Sequence, residues 1–255
     1  MKKFILSAAI LIAGFQTQAQ TLGEILGGIE KATGGGKIGT KSEGSNSNID
    51  LSGLSSGEIS TALKQALNIG VEEGIEKLSK EDGFYKNELV KILMPEELRK
   101  VENVLRSFGL SSLADEGVKL FNRAAEDAVT EAAPIFANAI TSMSFDDAKN
   151  ILLSGDNAAT DYLEGKTSGQ LYNAFQPKVQ ASLGKVGADK VWNKLITSYN
   201  MFTGKNITTD LNQYVTVEAL NGVFKMVADK EAGIRNNKVF RTTSVLQDVF
   251  GALDK

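Results

Sequence analysis

The chain has 255 residues, a formal net charge of −3, no histidine and no cysteine. That composition excludes disulfides, zinc sites of the ordinary kind, and catalysis by a histidine-activated serine or cysteine. It is mildly acidic and has no dense lysine or arginine cluster. Neither nucleic acid nor an anionic membrane surface is therefore an expected partner.

Residues 1–19 have the three regions of a secretory signal peptide. Lys2 and Lys3 are the positive start, Phe4 to Phe15 an apolar run, and Thr17 and Ala19 the small residues before a cleavage point. The run is about 12 residues, against roughly 20 for a membrane-spanning helix. Cleavage after Ala19 is expected, leaving Gln20 as the new N-terminus of a soluble chain. Without a cysteine that chain is expected to carry no lipid anchor. Residues 20–50 are predicted as a short helix over 22–31 and a Gly/Ser/Asn-rich flexible linker.

From Leu51 onward the pattern is helical. Ser55 and Glu58 have capping-box spacing. Ile59, Leu63, Leu67, Val71, Ile75 and Leu78 follow on one helix face. Beside them Ala66, Gly70 and Gly74 form a row of small residues, which predicts the close approach of another helix. Pro95 fits the first turn of a second helix, which ends at Gly109. A third runs from about Ser112 to Ala132, with Leu113, Val118, Phe121, Ala125, Ala128 and Val129 inward. Pro134 stops it and opens a fourth through Met143. Ser144 caps a fifth, which ends at Gly155.

A short helix over 157–164 follows, then one capped by Thr167 or Ser168 to about Leu183, with Pro177 as a kink or break. Residues 187–202 form the next. Asp210 to Val215 reads as a short helix, Thr216 as the cap of a long one through Arg235, and Thr243 as the cap of the last. Apolar and polar residues nowhere alternate over a strand's length. The prediction is an all-α fold: a single compact multi-helix bundle over 51–255.

Chemical motifs are sparse. Residues 160–167 imitate a phosphate loop, but Thr160 stands where its first glycine belongs and no strand precedes it. Residues 156–161 lack the sixth-position glycine and final glutamate of a calcium loop, so Asp156 or Asn157 is read as a helix cap. Arg123 and Glu126 can pair across one helical turn, or Arg123 can anchor a neighbouring helix or an anionic group. Asp146 and Asp147 suit a helix start. Arg123, Glu126, Asp147, Asp156, Thr160 and Tyr162 are the candidate polar site, provided that they converge. No cofactor, metal or catalytic group is expected.

One resemblance is specific. Leu51-Ser52-Gly53-Leu54-Ser55-Ser56-Gly57-Glu58-Ile59, Asp82-Gly83-Phe84-Tyr85 and Pro95-Glu96-Glu97-Leu98 begin an ordered set. It continues through Asn122-Arg123-Ala124-Ala125-Glu126, Glu131-Ala132-Ala133-Pro134-Ile135-Phe136 and Asp147-Ala148-Lys149-Asn150-Ile151-Leu152. Gly155-Asp156-Asn157-Ala158-Ala159-Thr160-Asp161-Tyr162, Tyr214-Val215-Thr216 and Arg241-Thr242-Thr243 complete it. The set resembles the bacterial family called domain of unknown function 4197. Ser154 departs from the Gly-Gly-Asp of similar sequences and Thr130 from their proline, both at turns. The resemblance implies an exported helical protein and transfers no activity. The expected role is non-enzymatic binding of an apolar small molecule or an envelope protein, in the periplasm if the cell is Gram-negative. A carboxylate-based hydrolase of envelope glycans and a structural or assembly factor are the alternatives.

Overall fold

A computed structural model describes residues 55–107, 111–185 and 210–254, with positions 192, 193, 197, 200, 201 and 204 between the last two stretches. The expected signal peptide, short helix and linker lie outside the described residues, as does most of the helix expected over 187–202. Among the described residues the protein is all-α, with no strand.

Helix α1 spans Ser56–Ser79 and starts with the expected capping box: Ser55 Oγ accepts from the Glu58 N–H, and Glu58 accepts from the Ser55 N–H. Its six-residue apolar stripe is buried. The small-residue row beside it meets helix α7, Leu211–Asn236, as the spacing predicts. A Cβ on Gly70 would lie 3.3 Å from Lys230 Cβ, and one on Gly74 3.0 Å from Met226 Cγ. Residue 70 beside 230 and 74 beside 226 make the two helices antiparallel.

Helix α2 covers Glu96–Ser107, with Pro95 just outside its start rather than in its first turn. Helix α3 covers Ser111–Val129. It buries Val118, Phe121, Ala125, Ala128 and Val129 as expected, and also Asn122 and Glu126. The break comes at Thr130 and Glu131, and α4, Ala132–Thr141, has begun before Pro134. Pro134 therefore sits within a first turn, where its missing N–H has no intrahelical role. Helix α5 is Phe145–Leu153, opened by a Ser144–Asp147 capping box.

Two expected boundaries are wrong. Residues 158–185 form one helix, α6 (Ala158–Lys185), with Pro177 inside it. Thr167 and Ser168 do not cap a new helix. Their hydroxyls donate back to the carbonyls of Leu163 and Glu164, four residues earlier. Likewise Thr216 lies inside α7, donating to the Asn212 carbonyl, and Asp210 is the cap. A short 3₁₀ turn, Lys238–Phe240, leads to α8, Ser244–Gly251, capped by Thr243 as predicted.

Helix α7 is about 39 Å long and packs against α1, α3 and α6. Helices α4, α5 and α8 also pack on α1. One contiguous apolar core joins them, including Phe84, Phe121, Phe136 and Phe175. The Phe136 and Phe224 rings meet edge to face at 5.9 Å, tying α4 to α7.

Candidate functional site

Polar side chains gather in three clusters that hold backbone segments to a helix, and Asn122, Arg123, Glu126, Thr160 and Arg241 of the motifs above take part in them. The first lies on α3. Glu126 is 4% exposed. One of its carboxylate oxygens accepts from the N–H groups of Phe84 (3.0 Å) and Tyr85 (3.2 Å), and the other from Arg123 at 2.5 Å. Arg123 also reaches Asp82 at 2.6 Å and Glu81 at 2.9 Å. Burial works against the charge on this guanidinium, but its bonds to Glu126 and Asp82 outweigh that and raise its pKa. Asp82 is held below the usual carboxylate range, first by Lys86 and then by Arg123. One turn earlier, the Asn122 amide accepts from the Ile92 N–H and donates to the Ile92 carbonyl, both at 2.8 Å, as a neighbouring strand would. The segment between α1 and α2 is thus pinned at both ends.

Its entry turn explains Asp82-Gly83. Asp82 has φ 69°, in the left-handed region. A Cβ on Gly83 would stand 2.4 Å from the Lys77 carbonyl oxygen. Only glycine fits there.

The second cluster lies near the other end of α7. Glu231 accepts from the N–H groups of Ala159 (3.0 Å) and Thr160 (2.8 Å), and from Thr160 Oγ1 (2.8 Å). Arg235 donates to Glu231 at 2.9 Å and to the Ile151 carbonyl at 2.9 Å. A carboxylate therefore meets the positive start of α6, and a guanidinium the negative end of α5. Asp156 and Asn157 are exposed, and the distant Glu231 takes the capping role expected of them.

The third cluster closes the chain's far end. Arg241, 3% exposed, donates to the carbonyls of Ile234 and Arg235 at the end of α7. It also forms a two-armed pair with Asp254 at 2.6 and 2.8 Å. That pair holds the Asp254 carboxyl down at about 2.

The six candidate residues divide among these places. Arg123 and Glu126 are bonded to each other. Thr160 is bonded to Glu231. Asp147 and Tyr162 meet elsewhere. Asp147 accepts from Ser144, which lowers its pKa, and the nearby Tyr162 hydroxyl lowers it to a lesser degree. Burial, more than Asp147, raises the Tyr162 phenol. Lys166 sits over the Tyr162 ring, 5.6 Å from its centre.

The Arg123 and Thr160 regions are separated along α7. The Phe84 ring lies against Gly222, and Glu231 is about nine residues, or roughly 13 Å, further along the axis. The sequence reading did not single out Glu231, Arg235 or Asp254. Glu231 carried a signal: it continues the row Leu220, Phe224, Val227 at helical spacing, an acid on an apolar face.

These arrangements are suited to holding backbone in place. Among the described residues no group of three acids could hold a metal ion, and no helix is long and apolar enough to cross a membrane. A small, partly open pocket of about 20 Å³ lies between α1, α6, α7 and α8, with Leu67, Gly70 and Phe250 in its wall. An enclosed site for a small organic molecule takes roughly 300 Å³ or more. No curated protein and no solved structure matches the chain. Residues 53–251 match the family described as Protein of unknown function (DUF4197). The residues that define the three clusters lie within that match, apart from Asp254, and the chain belongs to this family.

Proposed function

We propose that this protein is an exported, non-enzymatic binding protein, with residues 1–19 as a cleaved signal and the helical body as the part that engages a partner. One observation carries the reading: the charged side chains of the three clusters are engaged in bonds that hold the fold. Arg123, Glu126, Glu231 and Arg241 are each bonded to backbone groups or to other side chains of the same cluster. The cavity beside Gly70 has room for about one water molecule, which favours a partner at the surface over an enclosed apolar ligand.

A glycan hydrolase would need two carboxyl groups about 5 to 9.5 Å apart across a cleft. Glu231 is the acid in the wall of the small cavity, and four hydrogen bonds already engage it.

The test is expression of the full chain in a Gram-negative host. The expected product is found in the periplasmic fraction, begins at Gln20, and releases no soluble fragments from purified cell-wall glycan. Photo-crosslinkers at exposed positions are expected to give a discrete adduct in cells. An intact Met1 in the cytoplasm would overturn export. Released glycan would overturn the non-enzymatic reading, and the absence of any adduct would overturn binding.

A further inference from the structure

Tyr214, Glu218 and Gly222 are spaced by four residues and so lie along one ridge of α7. The connection between α1 and α2 is seated on both ends of that ridge. The Tyr214 hydroxyl donates to the Leu93 carbonyl at 2.9 Å, and a Cβ on Gly222 would lie 3.3 Å from Val90 Cβ. Glu218 stands between these two contacts, at the level of residues 90–93, and is half-buried there. Among the described residues its carboxylate takes one hydrogen bond, from the Asn221 amide at 3.3 Å, and no ion pair.

The buried acids of the clusters are held differently: Glu126 and Glu231 each hold an arginine and two backbone N–H groups. The charged groups around Glu218 are engaged elsewhere or face water. In the connection Lys86 pairs with Asp82, Lys91 lies over the Tyr85 ring, and Glu88 is exposed. On α3 Arg123 is bonded to Glu126 and Lys119 is exposed, as is Lys77 near the end of α1. The register that brings Glu231 to Thr160 puts Tyr172 of α6 at this level, a phenol that burial raises. Lys225, about two turns along α7, is the charge whose attraction reaches Glu218, but burial outweighs it and raises the carboxyl. Lifting residues 90–93 from the ridge would admit water to Glu218 and return it to its ordinary titration. Opening of the connection and loss of that proton are thus linked, and each favours the other.

We propose that Glu218 is a proton-operated seat for the connection between α1 and α2, which closes more firmly on α7 when this side chain is neutral and opens more readily when it is charged. A carboxyl raised in the closed form stabilises that form fully below its ordinary 4.5 and ceases to as pH rises through the closed-state value. Opening bares Val90 and Ile92, 4% and 1% exposed, beside the already exposed Leu89 and Leu93.

Hydrogen exchange of the Val90, Lys91 and Ile92 amides, set against the intrinsic rate at each pH, reads the opening. Their protection is expected to be at least about threefold higher at about pH 4.5 than at about pH 8. Glu218→Gln, similar in shape and uncharged, should be protected at both pH values as the native protein is at the lower one. It should leave the Ala159 and Thr160 amides, held by Glu231, exchanging at their native rates. The Glu218 carboxyl carbon, followed by NMR, should titrate above 4.5. Equal native protection at the two pH values would overturn the proposal. So would a pH step that survives in Glu218→Gln, or a variant that slows all amides alike. If the variant fails to fold, the carboxyl titration of the native protein decides: a midpoint at or below 4.5 removes the device.

Discussion

Replacing Glu231 by alanine removes the acceptor for four hydrogen bonds at once. Breaking a buried ion pair by deleting one partner costs about 3–5 kcal/mol. Two features place this site at the lower end. Arg235 keeps its 2.9 Å bond to the Ile151 carbonyl, so its charge is not stranded. The shorter alanine side chain also leaves space that water can enter to meet the freed Ala159 and Thr160 N–H groups. The expected loss is therefore about 3 kcal/mol, or roughly 6–12 °C in Tm for a body of this size. Thermal unfolding followed by circular dichroism measures it. Hydrogen exchange adds the location: the Ala159 and Thr160 amides should exchange faster while those of Phe84 and Tyr85, held by Glu126, stay protected. Glu231→Leu combined with Arg235→Leu should recover part of the loss, because the unpaired charge goes as well. A Tm within about 2 °C of the native value, less than 1 kcal/mol at this size, would refute the assignment of Glu231 as the clamp between α5 and α6.

Asn122→Ala leaves the Ile92 N–H and carbonyl without partners and should cost about 2–3 kcal/mol in chemical denaturation. Gly165→Ala and Gly169→Ala add a methyl group with nothing within 4 Å, inside a helix. Each should stabilise by about 1 kcal/mol, read as a higher Tm, whereas Gly222→Ala, with Phe84 Cε1 2.5 Å from the new carbon, should destabilise. The folded Asp254 carboxyl titrates at about 2 against an ordinary 3.8. A depressed carboxyl stabilises fully above its unfolded value and loses that contribution as pH falls through the folded one. The native protein should lose this increment between about pH 4 and pH 2, and Asp254→Asn should lack the step in an acid titration of Tm.

Local regularities were legible in the sequence. The stripe from Ile59 to Leu78 shows through its spacing, and Gly70 and Gly74 announce a close helix because nothing else offsets their cost. Ser55, Ser144 and Thr243 are caps as read. Thr167, Ser168 and Thr216 were misread because a hydroxyl that can cap a helix can also donate back to a carbonyl one turn earlier, and the residue type is the same in both roles. The clusters escaped for another reason. Asn122 binds a residue 30 positions away, and Glu231 one 71 positions away. No local window contains both halves of such a pair. Of the six candidate residues, only Arg123–Glu126 and Asp147–Tyr162 come together, and the half-buried place of Glu218 appears only once the chain is folded.

Helix α7 has a consequence in time. Its side chains complete contacts whose other halves were synthesised 71 to 157 residues earlier: Thr160 for Glu231, and Glu73 for Lys230. A chain that emerges from its N-terminus holds α1, α3 and α6 without their shared partner until residue 236 has followed. Closure that depends on such distant pairs is slow to begin. The body therefore cannot close fully before α7 has been synthesised.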